Sequence, residues 1–343
     1  MSELSTHIPR GEHTRTLFPL VAMLVLAAAL IPSPQASATS RGYGWPVKPF
    51  DRPHPVRGGF GDPRTVFESP PSQSAVLTGS GKFSFHFGID IAAPNGTPVY
   101  PVVSGIVRLV AYGKPREHVE VAGEDGRWYH YWHIRPRVRV GQRVEARKTV
   151  LGTILAPYKH VHFAEFRGDQ PVNPIASGHL TPYADTTTPE VKSISVRESD
   201  VGPAVMPSLI RGRVVFVAEA YDTRELRIPG VWNNMPVTPA RVSWQLKGLT
   251  TKRAAGGVAA DFRTTTPPNG RFWSYYARGT YQNMSVFGSH YSWAQPGSFV
   301  FRLTRSSFDT RSVPDGVYDL VVTASDLAGH SSSRSLRLTI RNG

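Results

Sequence analysis

Cysteine is absent from this chain of 343 residues. Its absence excludes disulfide bonds, and it also excludes attachment of a lipid to an N-terminal cysteine. The length is enough for two or three domains at about 100–200 residues per domain. Each domain must therefore be stabilised by its own hydrophobic core, which suits sheet-rich domains of this size.

Acidic residues are few, with 25 Asp and Glu against 39 Lys and Arg, so the formal net charge is +14. Such a balance fits nucleic acid, an anionic membrane or an anionic polymer as a partner. The positive residues are spread thinly, as between Arg135 and Lys148, and no helix-turn-helix, zinc-finger or RNA-binding motif is present. We therefore predict no nucleic-acid partner and favour a negatively charged cell wall.

Hydrophobic runs are short, and the longest apolar stretch near the N-terminus is Leu17–Ile31, of about 15 residues. A membrane-spanning helix needs about 20. Arg10 and Arg15 precede the stretch and the small residues Ala36–Ala38 follow it, which is the order of a signal peptide. We predict a signal peptide over residues 1–38 and no stable membrane span after cleavage. The alternative is an uncleaved anchor.

Polar and apolar residues alternate from Phe83 to Ile91, with aromatic or aliphatic side chains at the odd positions. This period of two is typical of a half-buried strand. It predicts that His86 and Asp90, both at even positions, share one face.

A second predicted strand carries His160 and His162 on one side, because Val161 and Phe163 alternate with them. Two such strands lying side by side would bring four nitrogen and oxygen donors together. His133, in the sequence YWHI, adds a fifth polar group.

This set suits zinc, which accepts neutral imidazole and carboxylate and typically has three protein ligands in a catalytic site, with a fourth position open for water. Five candidates exceed three, so the surplus indicates histidines that transfer protons. A lone histidine is more often a structural or surface residue. That interpretation weakens when five polar groups fall on matching faces of paired strands.

These motifs resemble those of the lysostaphin or LytM-type zinc metallopeptidases, secreted bacterial endopeptidases that cut peptide bonds in peptidoglycan. The family pattern of HxGxD, a YxHL-like segment and HxH followed by an aromatic residue occurs here in order. Further similar segments lie at 96–107, 138–152 and 171–174. The resemblance covers roughly residues 80–176 and is specific, because several motifs agree in order and spacing.

The resemblance implies that one zinc ion per chain is held by His86, Asp90 and His162. It implies that His133 and His160 are catalytic histidines that do not bind the metal. The chain departs from the family at Ala164, where glutamate is usual, and in a shorter approach to the HxH motif. The resemblance therefore does not define the substrate groove.

The predicted fold is all-β. The resemblance implies a duplicated hybrid-motif, or barrel-sandwich, metallopeptidase domain at 80–180, and a Gly/Pro-rich segment at 39–79 precedes it. A linker is predicted at 181–189, and new strand-like runs at 190–343 indicate an immunoglobulin-like or fibronectin-like β-sandwich. A biotinyl or lipoyl carrier barrel is the alternative for the first domain, but the lysine of a carrier hairpin is missing and a carrier needs no histidine cluster.

Aromatic residues are dense between Arg271 and Pro296, where they favour the core of a long insertion over a sugar-stacking surface. Trp45 and Phe60 are likewise predicted to pack against the catalytic sheet rather than to border the cleft. His54 is a further donor, but it lies in a proline-flanked loop and is left out of the predicted site.

The predicted function is that of a secreted, zinc-dependent endopeptidase acting on peptidoglycan, with anionic wall polymers as further partners. One alternative is an inactive domain that binds peptidoglycan and regulates another hydrolase, and another is a wall adhesin. Retention of all five polar groups favours catalysis. The peptide bond cut, and the division of roles between His133 and His160, stay open. If the C-terminal β-sandwich is a targeting or spacing module, a fragment ending near Asp185 should still fold, bind zinc and cleave small soluble peptides.

Overall fold

A computed structural model describes residues 42–66, 82–113, 117–249, 255–283 and 296–343. The predicted signal peptide lies outside these ranges. Among the described residues, no helix is both long enough and apolar enough to cross a membrane. Strands dominate, which confirms the all-β prediction.

The N-terminal region, residues 42–185, contains short antiparallel strands. In chain order they are β1 (Val56–Gly58), β2 (Pro63–Val66), β3 (Lys82–Phe85), β4 (Ile89–Ala92), β5 (Pro98–Val99), β6 (Gly105–Ala111), β7 (His118–Gly123), β8 (Trp128–Trp132), β9 (Ile134–Pro136), β10 (Arg143–Val144), β11 (Gly152–Ile154), β12 (His160–Arg167) and β13 (Gln170–Val172). The main sheet has the order β1-β4-β12-β8-β7-β6-β10, and β13 pairs with β12. A smaller sheet has the order β5-β11-β9, and β2 pairs with β3.

The C-terminal region, residues 190–343, is built from two further antiparallel sheets. Its elements are β14 (Glu190–Arg197), β15 (Arg213–Tyr221), β16 (Arg241–Gly248), β17 (Ala255–Asp261), β18 (Val300–Arg302), β19 (Phe308–Asp309), β20 (Gly316–Ser325) and β21 (Ser331–Ile340), with 3-10 turns at Gly230–Trp232, Asn269–Arg271 and Thr310–Ser312 and a single helical turn, α1, at Phe272–Tyr275. One sheet has the order β14-β15-β18 with β19 beside β15, and the other has the order β17-β16-β20-β21. Phe216 and Trp244, from different sheets, lie 6.1 Å apart between ring centroids. The immunoglobulin-like or fibronectin-like topology stays a prediction.

The strand predicted from Phe83 to Ile91 is interrupted, contrary to the alternation of the sequence. It forms β3 and β4, and His86 lies between them, where its backbone pairs with Gly61 and Asp62. Gly88 permits the break, because a Cβ atom there would lie 2.3 Å from the carbonyl oxygen of Phe163. The chain therefore turns against β12 at a point that only glycine can occupy.

The two regions share a hydrophobic core, and residues Ser40–Gly343 form one compact unit. The ring of Phe85, at the end of β3, lies 5.7 Å from Phe262, 5.3 Å from Phe272 and 5.9 Å from Tyr276 between centroids. Phe272 and Tyr276 are buried, which confirms the core interpretation for these two members of the aromatic segment. Residues 284–295 of that segment lie outside the described residues.

Polar contacts also cross between the regions. The hydroxyl of Tyr276 donates a hydrogen bond of 2.8 Å to the carbonyl oxygen of Gly61. The carboxylate of Asp62 accepts one of 2.7 Å from the backbone N–H of Thr238. Both contacts hold the loop that precedes β2, so the C-terminal region fixes a segment of the N-terminal region.

The predicted linker is held by contacts with the C-terminal region. Thr187 Oγ1 lies 2.6 Å from the carbonyl oxygen of Thr223. Arg224 is 3.1 Å from Asp185 and 4.0 Å from Asp222, and its positive charge offsets these carboxylates. Burial raises the pKa of Asp222 to about 6. The domain limits themselves stay predictions.

Candidate metal centre

The site begins with the pairing of β4 and β12. In their antiparallel register Asp90 lies opposite His162, and Ala92 lies opposite His160. Ile89 and Ile91 on β4 are buried, while Asp90 points to the other face. Pairing of the two strands thus brings together residues that are 72 positions apart in sequence.

Three donor atoms converge where these strands meet the turn after β3. His86 Nε2 is 2.7 Å from His162 Nδ1 and 3.2 Å from Asp90 Oδ1, and His162 Nδ1 is 3.1 Å from the same oxygen. These residues are the sequence-predicted ligands, and the structure identifies them as a group that could hold a metal ion.

Hydrogen bonds orient the imidazoles. His86 Nδ1 lies 2.8 Å from the carbonyl oxygen of Gly59. Because a carbonyl only accepts, Nδ1 carries the proton and Nε2 presents its lone pair to the centre. The same argument applies to His160, whose Nδ1 lies 2.7 Å from the carbonyl oxygen of Tyr158.

The charge state of the site also suits a cation. Burial lowers the pKa of His86, and it lowers that of His162 to about 4. Burial raises the pKa of Asp90, but the interactions of its carboxylate with His86, His160 and the charged Arg64 outweigh this and hold that pKa well below its usual range. Two neutral imidazoles and one carboxylate are a donor set that zinc accepts. The residues present therefore fit the metal.

His133 and His160 lie beside the donor group. The ring of His133 is 4.7 Å from His160 and 6.5 Å from His162 between centroids, and it stacks on Tyr158 at 4.1 Å. His160 Nε2 is 3.5 Å from Asp90 Oδ1. The structure thus brings all five sequence-predicted site residues together.

His133 has two unusual features. Its φ of 66° lies in the left-handed region, which is uncommon for residues other than glycine. Its Nδ1 atom is buried and has no hydrogen-bond partner among the described residues. Backbone strain clusters at active sites, and a catalytic role is one explanation for an unsatisfied buried polar atom.

Sequence reasoning missed the second layer of the site. Arg64 Nη2 is 2.8 Å from Asp90 Oδ2, and Arg64 Nη1 is 3.8 Å from Asp62. Both residues lie in the segment at 39–79, for which the sequence indicated only a high content of Gly and Pro. A lone arginine and aspartate among glycines carry no spacing signal, so only the tertiary structure reveals them.

The cavity above the site has a volume of about 410 Å³. Most of its lining comes from the N-terminal region, including Phe87, Trp132 and Tyr158. Trp232, Gln282 and Asn283 complete the wall from the C-terminal region. Trp45 and His54 lie outside this site, as predicted. Trp45 is fully buried, and His54 Nε2 lies 2.8 Å from the carbonyl oxygen of Pro49.

Comparison with known protein families shows which family this part of the chain matches. Residues 84–174 match Peptidase family M23. These residues are an M23 peptidase domain. The match contains all five site residues, and M23 peptidases are the family to which lysostaphin-type endopeptidases belong. No curated protein matches the chain.

Several solved structures resemble the M23 domain. The catalytic domain of lysostaphin from Staphylococcus simulans is 21% identical, and the match covers 36% of this chain and 90% of that one with a TM-score of 0.27. A variant catalytic domain of EnpA, a prophage-encoded M23 protein from Enterococcus faecalis, is 28% identical, with coverages of 36% and 93% and a TM-score of 0.25. A zinc-containing peptidase from Vibrio cholerae is 25% identical, with coverages of 39% and 39% and a TM-score of 0.29.

Proposed function

We propose that this protein is a zinc-dependent endopeptidase that hydrolyses peptide bonds in bacterial peptidoglycan. The observation that carries the proposal is the convergence of His86 Nε2, Asp90 Oδ1 and His162 Nδ1 within 3.2 Å of one another. The family match and the presence of His133 and His160 beside these donors support the same reaction.

Each residue has a role in this proposal. His86, Asp90 and His162 hold the metal, which when bound supplies Lewis-acid activation of a water molecule and of the scissile carbonyl. Asp90 also contributes negative charge, and Arg64 holds its second oxygen. The Gly59 carbonyl keeps His86 in the tautomer that presents Nε2.

His133 and His160 handle protons. Burial lowers the pKa of His133 to about 3 and that of His160 well below its ordinary value, so both are neutral at pH 7. A neutral imidazole has a lone pair that can accept the proton of the attacking water. Between them, the two residues take that proton and assist the oxyanion or the departing amine.

Location and further partners follow from the sequence. The predicted signal peptide and the net charge of +14 support an extracytoplasmic enzyme that meets peptidoglycan and anionic wall polymers. Sequencing the N-terminus of the protein recovered from the culture medium tests this, and a start at Thr39 is expected.

Two paired measurements test the activity. Zinc per chain is determined by elemental analysis, and release of peptides from purified wall is followed by mass spectrometry. Wild-type protein is expected to hold about one zinc ion, as a three-ligand site does. His162→Ala should lose both metal and hydrolysis, whereas His54→Ala, a histidine outside the site, should lose neither.

Absence of zinc after mild purification and reconstitution would overturn the proposal. Zinc binding without release of wall peptides would instead support the alternative of an inactive wall-binding regulator.

A further inference from the structure

Arg57 is presented to the cavity by an irregularity in β1. Val56 pairs with Ile91 and Gly58 pairs with Asp90, so β1 has one residue more than β4 over this stretch, and that residue is Arg57. A β-bulge of this kind redirects a side chain and is frequent beside active sites. Arg57 and Gly58 both line the cavity above the metal centre.

The C-terminal region holds this side chain in place. The guanidinium carbon of Arg57 lies 4.2 Å from the ring centroid of Trp232, in the 3-10 turn Gly230–Trp232. Stacking engages the flat face of a guanidinium, whose N–H groups lie in its plane and form a rigid fork. Trp232 therefore orients the fork of Arg57 within the cavity.

The two arginines of the cavity act on different parts of the site. Arg64 pairs with Asp90 and Asp62 and so belongs to the metal side. Arg57 lines the same cavity as His133 and His160, the two histidines that handle protons.

We propose that Arg57, oriented by Trp232, binds a carboxylate of the substrate next to the scissile bond and makes the enzyme selective for acidic peptides. This inference rests on the proposed function. A planar guanidinium pairs with a carboxylate through two parallel hydrogen bonds, which gives geometric selectivity as well as attraction. The carboxylate belongs either to the C-terminus of a peptide or to an acidic side chain.

The test measures selectivity. The probes are cross-linked peptides from purified wall in three forms: with free carboxylates, with only the C-terminal carboxylates converted to amides, and with all carboxylates converted to amides. For zinc-loaded wild-type protein we expect kcat/KM to be at least about tenfold higher for the free form than for the fully amidated form, the scale of one charge-assisted pair. The intermediate form shows which carboxylate is bound.

Variants assign the effect to Arg57. Arg57→Gln should reduce the acid-to-amide ratio to below about threefold, mainly through a higher KM for the free form, and Trp232→Ala should reduce it partly. Arg57→Lys keeps the charge without the fork and should give an intermediate ratio. Arg108→Gln makes the same change at an exposed position on β6 and should leave the ratio unchanged. Zinc content is measured for every variant.

Three results would overturn the inference. The first is equal kcat/KM of wild-type enzyme for the free and the fully amidated peptides. The others are an unchanged acid-to-amide ratio in Arg57→Gln and an equal loss of kcat/KM by that variant on all three forms. If wild-type protein cleaves none of the forms, the proposed function fails. Calorimetry of the free and amidated peptides binding to the same proteins then tests whether Arg57 recognises the carboxylate. We expect acid-to-amide ratios of affinity equal to those given above for kcat/KM.

Discussion

At the scale of single residues, the site separates metal binding from proton transfer. His133 is near the donor group, but its Nδ1 atom has no hydrogen-bond partner in the part of the chain that the structure describes and its φ is positive, neither of which a structural histidine requires. His162 instead lies within 3.1 Å of both other donors. Substitutions of these two histidines should therefore have different consequences.

His133→Ala should leave zinc largely in place and reduce hydrolysis of wall material by roughly 10²–10⁴, the usual scale for a lost acid or base. Zinc content by elemental analysis and initial rates on the same preparation check this. Full activity in the variant would remove His133 from the mechanism, and loss of zinc would make it a ligand.

Asp222 provides a test of buried charge away from the metal. Its folded-state pKa is raised by burial to about 6, against about 3.9 for an unfolded aspartate. Between these values the folded protein binds a proton that the unfolded chain has released, so stability falls as pH rises through this window. Above this pH window the carboxylate of Asp222 is ionised while still buried, which lowers the free energy of unfolding.

Asp222→Asn should therefore be more stable than wild-type protein at pH 7, by on the order of 1–3 kcal/mol, and nearly equal to it at pH 4. Urea unfolding at the two pH values measures the difference. Asp51→Asn, at an exposed position, is the control and should change neither value. An equal difference at both pH values would show that the effect does not come from titration.

At the scale of elements, the approach of β4 to β12 creates the site. Gly88, just before β4, lies against β12, and its position leaves no room for a Cβ atom beside the Phe163 carbonyl oxygen. A side chain there must push β12 outward, and β12 carries His162. Backbone atoms cannot yield as the end of a flexible side chain can.

Gly88→Ala should destabilise the protein by about 1–3 kcal/mol, as overpacking does, and weaken zinc binding at least tenfold. Thermal unfolding and a zinc-chelator competition titration measure these changes. Gly270→Ala is the matched control, since no atom of the described residues lies within 4 Å of a Cβ atom at that position. Wild-type zinc affinity in Gly88→Ala would show that the strands have room to separate without disturbing the ligands.

At the scale of the whole molecule, the C-terminal region supports the site directly. Tyr276 and Thr238 hold the loop at Gly61 and Asp62, and the Gly59 carbonyl of the same loop orients His86. Phe85, next to His86 in sequence, is buried among aromatic rings of the C-terminal region. These contacts oppose the sequence expectation that residues up to Asp185 fold alone.

A fragment ending at Asp185 should therefore expose Phe85, lose cooperative unfolding and bind zinc weakly. Circular dichroism, chelator competition and hydrolysis of small peptides measure these properties. Mixing the fragment with a second one covering 186–343 should restore zinc binding. A folded, zinc-loaded and active fragment would instead show that the C-terminal region serves only for targeting or spacing.

The amino-acid sequence by itself determined the β-rich fold, the chemistry of the centre and its five polar residues, because period-two alternation and short motifs are local properties. It misplaced the strand around His86, since nothing local shows that β12 passes against Gly88. Only the tertiary structure showed that Arg57, Arg64 and Trp232 lie at the site and can take part in its function. Their importance arises from contacts between distant segments, such as the 4.2 Å stacking of Arg57 on Trp232, and such contacts leave no periodic signal in the sequence.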